Sequence, residues 1–234
     1  MFIIIDGIDG SGKSSIILEW INYLNSINKK CLNLRDFWKN HSRHPNPEEF
    51  LPYDCILSSE PTFVGIGSVI RNELIRSGSD YPPLSIANAY ALDRLILYKK
   101  VIIPFLNSSP NKIIIKDRSV STSLCYQSIQ GTIPMTEIAA IEGNAFALEH
   151  APDHLVITDL PAEIALERLA TRTNKTDNSI FERKEFLETT RALYLSPKYQ
   201  EIFESRGTKI HILNTNEKFD IMKTESVKLL QSFF

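Results

Sequence analysis

The stretch Gly7-Ile8-Asp9-Gly10-Ser11-Gly12-Lys13-Ser14-Ser15 has the residue types and spacing that phosphate chemistry requires. Glycines at its ends let the backbone turn through positive φ and come close enough for successive N–H groups to point at phosphate oxygens. In such a loop Gly7, Gly10, Ser11, Gly12 and Ser15 frame the phosphates of ATP. Lys13 reaches the β- and γ-phosphates, and the Ser14 hydroxyl is placed for Mg²⁺. Asp9 is the odd member, because an acid inside the loop repels phosphate. Its carboxylate makes sense if it holds a hydroxyl of a second, acceptor molecule.

Further chemistry-bearing groups recur after later apolar runs. Glu60 follows the run 54–58, and Asp117-Arg118-Ser119 follows Lys112–Lys116. An acidic residue at the end of a second apolar strand is where a Mg²⁺-linked carboxylate is expected in a phosphate-loop protein, so Asp117 joins Ser14 as a metal ligand. Ser121, Thr122, Ser123, Tyr126 and Gln127 come next, and a polar stretch from Arg172 to Ser179 carries Arg172 and Lys175. Phosphoryl transfer needs positioning and positive charge where negative charge spreads, which Lys13, Arg118 and this basic stretch can supply. No good Ser/His/Asp or Cys/His nucleophile is present. His41 and His44 lack a Cys or paired carboxylate at ligand spacing, which weighs against a metal centre.

These groups need an alternating scaffold to meet. Phe2–Ile5 reads as a buried strand and the segment after Lys13 as a helix. Further strands are expected at Cys31–Arg35, Asp54–Ser58, Lys112–Lys116 and His154–Thr158, with a last one at Lys209–Leu213. Helices are expected from Val64 to about Arg76, Leu84 to about Leu106, Glu137 to His150, Pro161 onward, Phe181 to Tyr199, and Phe219 to Phe234. Strand–helix alternation favours a parallel sheet, and open parallel sheets bind ligands beyond the carboxyl ends of their strands, where the candidate groups fall. Residues 36–53, rich in Pro and aromatic residues without a period, read as an inserted loop, with or without a short helix.

Bulk properties bound the alternatives. The 234 residues are 43% hydrophobic, enough for one α/β domain with a single core. Lys+Arg 26 against Asp+Glu 28 gives no basic field for nucleic acid and no polybasic run for a membrane surface. Cys31, Cys55 and Cys125 lack CxxC spacing and read as small hydrophobes in a reduced compartment. The apolar start ends at Asp6 with no basic n-region, and a soluble, cytoplasmic protein is expected.

Taken together, Gly7 to Ser14, Glu60-Pro61, Arg71, Tyr90-Ala91-Leu92-Asp93-Arg94, Asp117-Arg118-Ser119, Tyr126-Gln127 and Pro152-Asp153 resemble the thymidylate kinase family, in order, from Phe2 to about Tyr199. The resemblance implies a three-layer α/β P-loop fold, a five-stranded parallel sheet of order 2-3-1-4-5 with a lid at about 171–180, and a homodimer. It implies transfer of the γ-phosphoryl of ATP to dTMP with Mg²⁺. Carried over, Lys13, Asp9, Arg118, Asp117, Glu60 and Arg172 would be catalytic. Asp9 would take the deoxyribose hydroxyl and Glu60 would sit by the acceptor. Arg71 and Arg94 would face thymine and the acceptor phosphate, and Tyr90 would stack on the base. Arg118 would bridge the acceptor phosphate and the transferring group, while Ser123 and Gln127 would read the pyrimidine edge.

The chain also departs from that pattern. Family members commonly carry Thr-Arg before Glu-Pro, and here that arginine is Ser59. Two glycines often follow, and here they are Thr62 and Phe63. Ile180 stands where the lid usually has an arginine, and Gly10 where some members carry one, which shifts the expected lid role to Arg172 and Lys175. Other functions share part of the pattern, among them a monophosphate kinase of different base specificity. A deoxynucleoside kinase would also use the Asp117-Arg118-Ser119 signature, and a regulatory module would bind ATP without transferring phosphate.

Overall fold

The computed structural model describes residues 1–171 and 184–234. Its centre is a parallel sheet of six strands: β1 (Phe2–Gly7), β2 (Cys31–Asn33), β3 (Cys55–Ser59), β4 (Ile113–Asp117), β5 (His154–Asp159) and β6 (Lys209–Asn214), in the order β2-β3-β4-β1-β5-β6. The five strands implied by the resemblance are corrected to six, with β2, from the expected segment Cys31–Arg35, as a short edge strand beside β3. With β2 set aside, β1, β3, β4, β5 and β6 are the first to fifth strands in chain order and stand 2-3-1-4-5.

The strands are nearly continuous apolar runs because both faces of the sheet are covered. Phe2 and Ile4 enter one core with Trp38, Tyr98 and Tyr199. Ile3 and Ile5 alternate into the other, with Trp20, Met222 and Leu230. Helix α1 (Lys13–Ser26) covers that second face together with α13 (Phe219–Gln231), tied by Trp20 Nε1 donating to the Ser226 carbonyl at 2.8 Å.

The segment 36–53 is more ordered than its composition suggests. Asn33 caps α2 (Leu34–His41) by accepting from the Arg35 amide at 3.0 Å, which ends the expected strand Cys31–Arg35 at Asn33. Leu34, Phe37 and Trp38, at helical spacing, are buried. Pro47 opens α3 (Pro47–Phe50), where the Glu49 carboxylate accepts from the Asn46 amide at 2.8 Å and Phe50 is buried. His41 Nδ1 lies 3.0 Å from the Phe37 carbonyl, and Trp38 Nε1 donates to His44 Nδ1 at 3.3 Å, so both rings are used within the insertion.

Next come α4 (Gly65–Val69) with a π turn over Ile70–Leu74, then α5 (Pro83–Leu97), a π turn over Tyr98–Ile102, and α6 (Ile103–Ser108). The expected helix from Leu84 to about Leu106 is thus one element widened in the middle, beside Pro104, which has no N–H to donate. After β4 follow α7 (Val120–Gly131), α8 (Met135–Ala140) and α9 (Glu142–Glu149). The single helix expected over Glu137–His150 is broken at Ile141, which is extended (φ −60°, ψ 129°). The break lets Gly143 lie against α5 so closely that a Cβ there would sit 2.6 Å from the Ala91 carbonyl carbon. Past β5, α10 (Ala162–Ala170) starts after Pro161. Of the helix expected over Phe181–Tyr199, residues 181–183 lie outside the described residues, and the rest is found as α11 (Lys184–Tyr194) and α12 (Pro197–Glu204), divided at Ser196, whose Oγ accepts from the Tyr199 amide at 3.3 Å. Among the described residues, no helix is long and apolar enough to cross a membrane.

Candidate active site

The carboxyl ends of β1, β3 and β4 open on a cavity of about 300 Å³. Asp9, Ser14, Glu60, Arg71, Tyr90, Arg94, Asp117, Arg118, Ser123 and Gln127 all line it. The sheet register explains part of this: Ser59 pairs with Asp117 and Ile5 with Asp117, so the strand ends that carry Glu60, Asp117 and the phosphate loop are level.

In the loop, Gly7, Gly10 and Gly12 take positive φ of 140°, 83° and 90°. Gly10 faces α10, where a Cβ would lie 2.5 Å from the Ala165 carbonyl oxygen, so no side chain fits without a shift. Ser11 Oγ donates to the Ile8 carbonyl at 2.7 Å and lies 2.6 Å from Thr158 Oγ1, fixing the loop to β5. Lys13 folds over the loop, donating to the carbonyls of Gly7 (2.9 Å) and Ile8 (2.8 Å). Burial, with Arg118 nearby, lowers its pKa to about 8. Ser14 is exposed at the rim and Ser15 is half-buried in the first turn of α1.

Arg118 adopts left-handed backbone (φ 67°), with its amide donating to the Ile5 carbonyl at 3.0 Å. This turns its side chain back over the loop, where it donates to Asp9 Oδ1 at 2.7 Å, and its guanidinium sits 5.1 Å from the Tyr126 ring centroid. Asp6 is the buried support beneath. Its carboxylate accepts from the Gly7 amide, the Tyr194 and Thr122 hydroxyls at 2.8, 2.8 and 2.7 Å, and the Ser121 hydroxyl, and lies 3.5 Å from Arg118 Nη1.

Across the cavity, Glu60 is held between two buried cations. Lys116 Nζ contacts one carboxylate oxygen and Arg94 Nε donates to the other at 2.8 Å. Arg94 also donates to Ser123 Oγ at 3.0 Å and to Asn144 Oδ1. At 1% exposure it is a buried cross-brace and not a surface cation. Its neighbour Asp93 accepts from the amide and hydroxyl of Thr62, each at 2.7 Å, so the Asp93-Arg94 pair fixes the turn after Glu60 from both sides. Arg71 donates to the carbonyls of Pro61 and Thr62 (Nε, 3.0 and 3.1 Å) and lies over Phe63, 3.9 Å from its centroid. Burial and the nearby Arg35 lower the Arg71 pKa to about 10 even with acids in reach. Tyr90 forms an aromatic wall packed on Ile70 and Ile86, with burial raising its phenol to about 12.

Asp117 Oδ1, Ser59 Oγ and Gln127 Oε1 are buried without a hydrogen-bond partner among the described residues, and all three residues line the cavity. One orphaned carboxylate oxygen in a cavity that Ser14 also lines suits Mg²⁺, which keeps most of its waters or takes phosphate oxygens. Among the described residues, no cluster of three or more His, Cys, Asp or Glu could cage a metal by itself.

Comparison with known proteins gives the same reading. Residues 48–225 match the family model described as Thymidylate kinase. The chain belongs to the thymidylate kinase family. A protein named probable thymidylate kinase from Methanococcus aeolicus is 31% identical over 98% of this chain and 95% of its own. Thymidylate kinases from Thermosipho africanus (30% identical, 89% of this chain, 90% of its own) and Ligilactobacillus salivarius (27%, 99% and 98%) are similar throughout.

Of the residues carried over from the thymidylate kinase pattern, those named on the cavity wall are brought together, while Arg172 and Lys175 lie outside the described residues. Asp153 sits at the opposite end of the sheet, accepting from the Phe2 amide at 2.6 Å, and is structural. Sequence reasoning missed Asp6, Lys116 and Asn144 as parts of the site. The first two carried a signal, a charge inside an otherwise apolar buried strand, which needs a partner. Asn144 carried none, because its contact with Arg94 depends on where the α8–α9 break falls.

Proposed function

We propose that this protein, as one kinase domain of residues 1–234, transfers the γ-phosphoryl of ATP to dTMP. The observation that carries the reading is that one cavity is lined by Asp9 and Ser14 of the phosphate loop, by Asp117, Arg118 and Arg71, and by Tyr90, Ser123 and Gln127. Mg²⁺ held by Ser14 and Asp117 would neutralise charge on the β- and γ-phosphates. Lys13 offers its ammonium to the same oxygens. Asp9, fixed by Arg118, accepts the 3′-hydroxyl of the acceptor sugar and so orients it, while Arg118 stays within reach of the phosphate oxygen that attacks. Gln127 Oε1, an acceptor without a partner among the described residues, suits the N3–H of a pyrimidine with two flanking carbonyls, and the Ser123 hydroxyl can donate to one of them. Tyr90 offers a flat apolar face to the ring. The acid at Asp9 and the paired Glu60 favour an acceptor with a hydroxyl and a phosphate over a second triphosphate.

Release of ADP with dTMP, dUMP, dCMP and thymidine in turn, with Mg²⁺ present, tests this. Turnover of dTMP is expected; turnover of thymidine with none of dTMP would replace the reading with a deoxynucleoside kinase. Tight ATP binding without transfer to any acceptor would replace it with a regulatory module. A homodimer belongs to the same proposal, with exposed Leu84 and Leu92 on α5 supplying apolar surface, and sedimentation measures it.

A further inference from the structure

Two departures from the family pattern lie beside the segment 36–53: Ser59 stands where the pattern has Arg, and Phe63 where it has a glycine. Trp38 of that segment stacks on Phe63 with centroids 6.3 Å apart, and Phe63 in turn carries two guanidiniums, Arg71 at 3.9 Å and Arg35 at 5.1 Å. Arg35 occupies the first turn of α2, set there by the Asn33 cap and the buried Leu34 and Trp38 on either side. It lines the cavity and also a neighbouring groove between α1 and β3. Ser14, Ser59 and Asp117 are the other residues common to both, which places Arg35 at the phosphate-loop end.

Its state differs from that of the other cavity arginines. Arg94 is bound by Glu60, Asn144 and Ser123; Arg118 by Asp9; Arg71 by two carbonyls. The Arg35 guanidinium has no hydrogen bond or ion pair among the described residues, only the Phe63 ring. Two guanidiniums sharing one ring repel each other, the charge of Arg35 lowering the Arg71 pKa while Asp93 and Asp117 act against it. An anion there would relieve that repulsion, and Arg presents a planar fork suited to phosphate oxygens.

We propose that Arg35, at the junction of the edge strand β2 and α2, is a binding residue for the phosphate of the acceptor nucleotide. The assignment rests on the reading of this cavity as the acceptor site. It gives this segment a role: α2 carries Trp38 onto Phe63, which lies between β3 and α4, in the packing that holds Arg35 at the cavity wall.

Calorimetric titration of dTMP and of thymidine into the protein, Arg35→Ala and Arg35→Lys tests it, with ATP titrated in parallel and thermal midpoints recorded. Arg35→Ala is expected to weaken dTMP by about 10- to 100-fold, the range for one charge-assisted hydrogen-bonded contact, while thymidine and ATP change less than about twofold. Arg35→Lys should recover part of the loss. Equal losses for dTMP and thymidine would overturn the proposal by making Arg35 a shaping residue, a loss confined to ATP would assign it to the donor, and no loss would remove it from the site. A parent protein that binds neither dTMP nor thymidine overturns the acceptor reading and this role together, whereas normal parent binding with an unaffected Arg35→Ala overturns this role alone.

Discussion

The two ends of the cavity are built in different ways. The phosphate end is one contiguous stretch, Gly7 to Ser14, whose geometry follows from glycine φ values and from the junction of β1 with α1. The acceptor end is assembled from side chains distant in sequence: Glu60 after β3, Arg71 on the π turn, Tyr90 and Arg94 on α5, Ser123 and Gln127 on α7, and Asn144 on α9. The first is specified by backbone, so it tolerates change around it. The second is specified by a buried network of charges, so a change in one member displaces the others.

If that contrast holds, the largest effect should come from the acceptor end. Glu60→Ala leaves Lys116 and Arg94 buried and unpaired, and a loss of about 3–5 kcal/mol in unfolding free energy is expected by urea titration. A loss below about 1 kcal/mol would mean that the network rearranges as freely as a surface one. At the phosphate end, Lys13→Ala should keep the fold but raise the transfer barrier by about 3 kcal/mol, roughly a hundredfold in single-turnover rate. Unchanged dTMP affinity in that variant would show that the two ends bind independently.

Asp9 joins the two ends, since it is in the loop yet pairs with Arg118. Asp9→Ala is expected to keep ATP affinity and to lower dTMP turnover by about 10- to 100-fold, the value of one charge-assisted contact. A collapse of ATP binding would instead make Asp9 part of the loop's own structure. A pH series sharpens the same division. The Lys13 ammonium, with its pKa lowered to about 8, loses its proton in the free protein as pH rises through that value, whereas phosphate would hold it protonated. ATP affinity should therefore be flat below about pH 8 and fall above it, with proton uptake on binding. Lys13→Arg should abolish that fall. The same lowered pKa means that the folded state binds fewer protons than the unfolded one between about 8 and 10.5, so this group's penalty on stability is present below pH 8 and is relieved above it.

The smallest effect is expected at the wall. Tyr90→Phe keeps the aromatic face and removes a hydroxyl that donates no hydrogen bond to a described residue, so the KM for dTMP should stay within about threefold. A larger rise would assign the phenol to the acceptor.

The phosphate loop, its lysine and hydroxyl, the alternation that makes a parallel sheet, and the carboxylate after β4 were legible in the sequence because each depends on a few neighbouring residues and a local conformation. The end of β2 at Asn33, the helices α2 and α3 and the break at Ile141 were not, because Asn33 capping Arg35 and Gly143 touching Ala91 are decided by packing. Arg35 shows the difference most sharply. Nothing around it in the sequence marks it as a binding residue. Only the tertiary structure brings it beside Phe63, Arg71 and Ser59, because the contacts that place it span three elements that the chain visits in turn.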